Sequence, residues 1–317
     1  MSLREGAETV VEQCLDVCED EEVLVLNDGN DRDLIDALLE VLEETGADFE
    51  LMEYEEPDNH GEEPPEKVSE RMKEVDVVIA PTLKSISHTD ARREANSSGT
   101  RVATMPMVTK KVWNQSLNVD YEKVRQLSDK FYELLRDVSE VRIETPSGTV
   151  LRLEIDREFF EKDTGFIQEE GSMGNLPAGE TDGGILDAEG TLVIDHFPFA
   201  PSGTEVEIRD GEAVAVEHPD SKESDLSEAF EEDYCSRKIA ELGIGTNTEA
   251  TLIGNMLQDE KVFGTVHIAF GDNSSYFPKS HEKRNSCDIH WDTVCEDPKV
   301  WFDGEKVIDD GEPVFSK

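Results

Sequence analysis

The chain holds seven histidines among 75 Asp and Glu residues, so imidazole is a more informative signal than carboxylate. Neutral imidazole is the commonest protein metal ligand and titrates near physiological pH. His267 lies in VFGTVHIAFG, a strand-like run. Alternation puts Val266, Ile268 and Phe270 on one face and Thr265, His267 and Ala269 on the other. By itself His267 reads either as a buried, hydrogen-bonded ring or as a ligand. His290 lies in CDIHWDTV, where Asp288, His290 and Asp292 share a face opposite Ile289 and Trp291. An H-x-D pair on a strand aims an imidazole and a carboxylate at points about 7 Å apart along the chain, a reach that suits a metal ion, although a purely structural couple has the same pattern. Two glycine-rich segments each flank one acid: GSMGNLPAGET carries Glu180, and ELGIGTNTEA opens on Glu241. Glycine there means either a turn or a close backbone approach to a ligand. GIGTN lacks the lysine and the spacing of a phosphate loop.

The elements that must position these residues fall into two parts. Residues 5 to about 137 alternate helical stretches with apolar runs: EVLVLND, DFELMEY, VDVVIAP and TRVATMP. That order predicts an α/β domain over 1–138 with a mostly parallel sheet and flanking helices. From 139 the pattern changes to antiparallel hairpins. VRIETPSGTVLRLEID turns at Ser-Gly, and EVEIRDGEAVAVEH and KVWFDGEKVIDDGEPVF turn at Asp-Gly. With helical patterns near 224–240 and 247–258, where Thr246 or Asn247 would cap, residues 139–317 read as an α+β metal-site domain. Short acidic loops are expected at 55–66 and 219–224.

Composition narrows the function classes. Thirty Lys and Arg set against 75 acids give a net charge of −45, yet 36% of residues are apolar and recur in periodic blocks. A folded protein of a high-salt cytoplasm fits both facts, since the Debye length falls to ~3 Å near 1 M salt and screens a carboxylate-covered surface. Stability and activity should then need molar salt. No basic stripe is present to meet phosphates, which argues against nucleic acid and anionic membranes as partners. No run of 18 apolar residues predicts a membrane helix, and the acidic N-terminal stretch does not read as a signal peptide. The five cysteines lack a CxxC spacing and suggest neither a disulfide framework nor a zinc–thiolate site.

Four stretches in order, NLPAGE (175–180), AELGIGTN (240–247), DEKVFGTVHIAFGDN (259–273) and CDIHWD (287–292), resemble the aminopeptidase T family of metallopeptidases, and SISHTDARREA and RVATMP extend the likeness into the N-terminal part. The resemblance implies a homodimeric metallo-aminopeptidase acting on small peptides, which the N-terminal reading above would place in the cytoplasm. It also implies a two-ion centre (Zn, Co or Mn) held by Glu180, Glu241, His267, His290 and Asp292. Tyr276 would stabilise an oxyanion and Glu180 would serve as ligand or base. His88 and Arg101 would reach the substrate. The same superfamily resembles home to a pyridinediol ring-cleaving dioxygenase with a single Fe(II) on the two histidines and the aspartate, which gives the alternative reading. A non-catalytic metal-binding relative is the third.

Overall fold

Strands rich in β-branched residues and apolar on both faces form the middle of the first sheet. The computed structural model describes residues 2–219 and 225–315; most of the acidic loop expected at 219–224 therefore lies outside the described residues. The chain divides into two compact units. The first comprises Met1–Arg125, Asp163–Ala178 and Glu249–Thr251, and the second Gln126–Lys162, Gly179–Thr248 and Leu252–Lys317. The division thus falls at 125/126, inside the helix Tyr121–Leu134, where the sequence suggests a change near 138.

The first unit carries a five-stranded parallel sheet in the order Asp48–Glu53, Glu22–Asn27, Val77–Ala80, Arg101–Thr104, Met173–Asn175. Its centre is apolar: Val23 to Leu26 and Val77 to Ala80 are fully buried. That is what a sheet covered on both faces requires. The helix Arg32–Thr45 starts on Asp31, whose carboxylate accepts from the Asp33 N–H, and stops at Gly46 with φ +81°.

The second unit is built on an antiparallel sheet of eleven strands among the described residues. Its Asp-Gly hairpins turn at Asp210-Gly211 and Asp303-Gly304, where both residues take positive φ, the backbone that matches the twist of a two-residue hairpin. Four neighbouring strands carry the candidate site residues: His290–Cys295 at the edge, then Val266–Gly271, Ile239–Gly245 and Glu180–Ile194. One face of this group sends Leu242, Ile244, Val266, Ile268 and Phe270 into the hydrophobic core. The opposite face carries the charged side chains.

Two expectations change here. The helix anticipated over 247–258 is only the single turn Met256–Asp259. The amide of Asn247 instead donates to the Lys261 carbonyl, a loop-closing bond that leaves no helix to cap at Thr246 or Asn247. Cys235 and Cys287 are joined as a disulfide across 52 residues, a pairing that no local spacing could announce.

Candidate metal centre

Register places the charged residues on adjacent rungs of the second unit's sheet. One rung runs Asp182, Gly243, His267, Val294; the next runs Gly184, Glu241, Ala269, Asp292. Glu180 lies across from Gly245, and His290 across from Gly271. Each ionisable group therefore faces a glycine or alanine on a neighbouring strand, and this checkerboard leaves room for long polar side chains to converge over the sheet. At Gly243 the room is taken by the His267 ring: a Cβ there would sit 2.0 Å from Cε1 of His267. At Gly184 a Cβ would meet the Phe277 ring at 2.5 Å and Tyr276 Cβ at 2.9 Å. The first glycine of GIG, Gly243, serves the approach of this imidazole, whereas Gly245 admits the backbone of Val262, whose carbonyl oxygen a Cβ there would meet at 2.0 Å.

Both rings are held through Nδ1. His267 Nδ1 donates to the Glu260 carbonyl at 3.2 Å and His290 Nδ1 donates to the Asp272 carbonyl at 2.7 Å, because a carbonyl oxygen can only accept. Such bonds fix the tautomer and leave each Nε2 facing the cluster. The two Nε2 atoms bracket one carboxylate: His267 Nε2 lies 3.0 Å from Glu241 Oε1, and His290 Nε2 lies 2.9 Å from Glu241 Oε2. His290 Nε2 is also 3.4 Å from Asp292 Oδ1, and His267 Nε2 is 3.6 Å from Glu180 Oε2.

The electrostatics are those of a buried anionic cage. Burial favours the neutral ring of His267, yet its bond to Glu241 and the charges of Glu180, Glu241 and Asp292 override this and hold it at about 9. His290 is pushed well up by Asp292 and Glu241 against the same desolvation. Desolvation would raise Glu241 too, but hydrogen bonds to the two imidazoles hold it well below the usual carboxylate range. Glu180 and Glu260 are raised by burial to about 7, with the Lys261 charge opposing. Asp182 is driven well above its usual range by burial and by Glu180 and Glu241.

The donor set fits a divalent cation. Ligand atoms of Glu241, His267 and Asp292 all lie within 4.8 Å of one another. Glu180 Oε2, Asp182 Oδ1 and Asp292 Oδ1 are buried with no hydrogen-bond partner, each an omission that costs about 1–3 kcal/mol. Two imidazole Nε2 atoms aimed at carboxylate oxygens need a shared positive charge, either protons or a metal ion. Mixed nitrogen and oxygen donors suit a borderline transition metal.

The six residues named for the centre do not all play the same part. Glu180, Glu241, His267, His290 and Asp292 come together on this face. Tyr276 stands one step away: its hydroxyl donates to Asp182 Oδ2 at 2.7 Å. His88 and Arg101 belong to the first unit, where His88 is exposed in the turn before the helix Asp90–Ser97 and Arg101 pairs with Glu21 at 2.9 Å. Three further residues complete the cluster. Asp182 shares the face of Glu180 by simple alternation, a signal that the E-x-D spacing held. Glu260 and Lys261 sit in the DEK run before the His267 strand, and Lys261, only 2% exposed, pairs with both Glu180 and Glu260. The remaining histidines have structural partners, including His60 with the Ser85 amide and His196 with Glu296.

The sequence matches the family described as NicX: 2,5-dihydroxypyridine 5,6-dioxygenase over residues 3–315. No curated protein matches it. Among solved structures, 2,5-dihydroxypyridine dioxygenase from Pseudomonas putida KT2440 superposes with a TM-score of 0.77 at 18% identity, covering 99% of this chain and 97% of that one. Wild-type AmpT from Thermus thermophilus gives 0.73 at 17% identity, covering 99% of both chains. Likenesses at such identities show a shared fold. The metallo-aminopeptidase, a hydrolase, expected from the resemblance is corrected by the family match, which points to an oxidoreductase. Matched along almost its whole length, the chain belongs to the NicX family of 2,5-dihydroxypyridine 5,6-dioxygenases.

Proposed function

We propose that the chain is a ring-cleaving dioxygenase that uses one Fe(II) ion to open a hydroxylated aromatic ring of the dihydroxypyridine type. The observation that carries this reading is the pair of Nε2 atoms of His267 and His290 converging with Asp292 and Glu241, within a chain whose family match is to dioxygenases. His267, His290 and Asp292 would hold the ion, a two-histidine, one-carboxylate set that leaves coordination positions open. Fe(II) in that setting supplies the redox chemistry with O₂.

The chain's own residues do the rest. The carbonyls of Glu260 and Asp272 keep both rings in one tautomer and one orientation. Glu241 spans the two imidazoles and fixes their separation. Asp182, steadied at Oδ2 by the Tyr276 hydroxyl, keeps Oδ1 without a partner and can take a hydrogen bond from a ring hydroxyl there. In the overall reaction one ring C–C bond breaks and both atoms of O₂ enter the product, so no external reductant is consumed.

The net charge of −45 supports a high-salt cytoplasmic setting, and the assay belongs in molar KCl, where carboxylate repulsion is screened. The test is oxygen uptake by protein loaded anaerobically with Fe(II), over a panel of dihydroxypyridines and catechols. One O₂ consumed per ring opened is expected without added NAD(P)H. Turnover that persists under argon, or no uptake across the panel by iron-loaded protein, would reject the reading.

A further inference from the structure

Lys261 is among the largest fully buried side chains of the described residues. Lysine is almost never fully buried unless it is paired, and here the partners are two carboxylates of the same cluster. Its ammonium donates to Glu180 Oε1 and, at 2.6 Å, to Glu260 Oε1. The acidic cage thus has two halves. In one, Glu241, Asp292 and the two imidazole Nε2 atoms converge with no lysine among them. In the other, Glu180 and Glu260 converge on the Lys261 ammonium. Glu180, 6% exposed, joins the halves: Oε1 is bound to Lys261, while Oε2 has no hydrogen-bond partner and lies 3.6 Å from His267 Nε2.

We propose that the Lys261 ammonium is a resident cation of this centre, which occupies the Glu180–Glu260 half and so restricts the cluster to one divalent ion. An ammonium and a metal ion answer the same carboxylate oxygens, and they exclude one another by charge and by volume. A site with five acids on its walls (Glu180, Asp182, Glu241, Glu260 and Asp292) has carboxylate oxygens enough to hold two divalent ions. The lysine is the group that withholds the oxygens a second ion would need. Lys261 is a positioning residue in this scheme: it pins Glu180 Oε1 and turns Oε2 toward the imidazole side.

The inference rests on the reading of the cluster as a metal centre and is independent of the reaction carried out there. The test is therefore metal count, measured by calorimetric titration with Co(II) and by elemental analysis after gel filtration in high salt. The wild-type chain should bind one ion, and two would overturn the proposal. Lys261→Gln removes the charge at similar length and should bind two, the second more weakly. A folded Lys261→Gln chain that still takes one ion would overturn it as well. If that variant fails to fold alone, it is refolded with excess Co(II): recovery with two ions supports the proposal, whereas recovery with one, or no recovery, refutes it. Loss of the dioxygenase reading would show in oxygen uptake and leave these counts unchanged.

Discussion

The two sheets of this protein use the strand's two faces in opposite ways. In the parallel sheet of the first unit, Val77, Val78, Ile79 and Ala80 are all buried, and both faces serve packing. In the antiparallel sheet of the second unit, Val266, Ile268 and Phe270 serve packing while His267, one residue out of step, joins the charged cluster through Glu241. A polar residue tolerated on only one face of a sheet can be concentrated there, provided that the neighbouring rungs stay small. Gly243, Gly184 and Ala269 meet that condition.

The contrast can be broken most severely at the charged face. His267→Ala should remove one bracket of Glu241, and loss of a metal-derived stabilisation of several kcal/mol corresponds to a fall in kcat/KM of about 10³-fold or more. Steady-state kinetics alongside metal analysis would check this, and thermal stability should change far less than activity. Phe270→Ala, three residues along the same strand but on the core face, should do the reverse. It should cost about 3–5 kcal/mol of stability in denaturant titration while the folded protein keeps its metal count.

Gly243→Ala is a smaller and sharper probe. The added methyl would push the His267 ring aside; overpacking of this kind costs about 1–3 kcal/mol, and weakened metal binding should accompany it. Unchanged affinity would mean that the ring's position over Gly243 is unimportant. The smallest effect should come from the parallel sheet. Ile79→Val is expected to lower stability by about 0.5–1.5 kcal/mol, with activity at wild-type level.

Much of this arrangement was readable before the structure. The apolar runs of the first sheet, the Asp-Gly turns and the alternation around His267 and His290 are local patterns set by a few neighbouring residues. What escaped had non-local causes. Asp182 and Glu260 were hidden because 75 acids make any single carboxylate uninformative. Lys261 looked like one member of a charged run, and only burial against Glu180 distinguishes it. The Cys235–Cys287 bond closes 52 residues and has no spacing signature. The helix expected over 247–258 gave way because the backbone of Asn247 pairs with Lys261 and Phe263, a tertiary demand that outweighs local propensity. The chemistry itself was the least legible feature: the short motifs resemble a metallopeptidase family, whereas the whole chain matches a dioxygenase family.

The measurement that bears most directly on a ring-cleaving dioxygenase is the fate of isotopic oxygen. Iron-loaded protein should be incubated with a dihydroxypyridine under ¹⁸O₂ in ordinary water, and the product analysed by mass spectrometry. Ring cleavage by a dioxygenase predicts two ¹⁸O atoms per product molecule. A product that carries no ¹⁸O would contradict it.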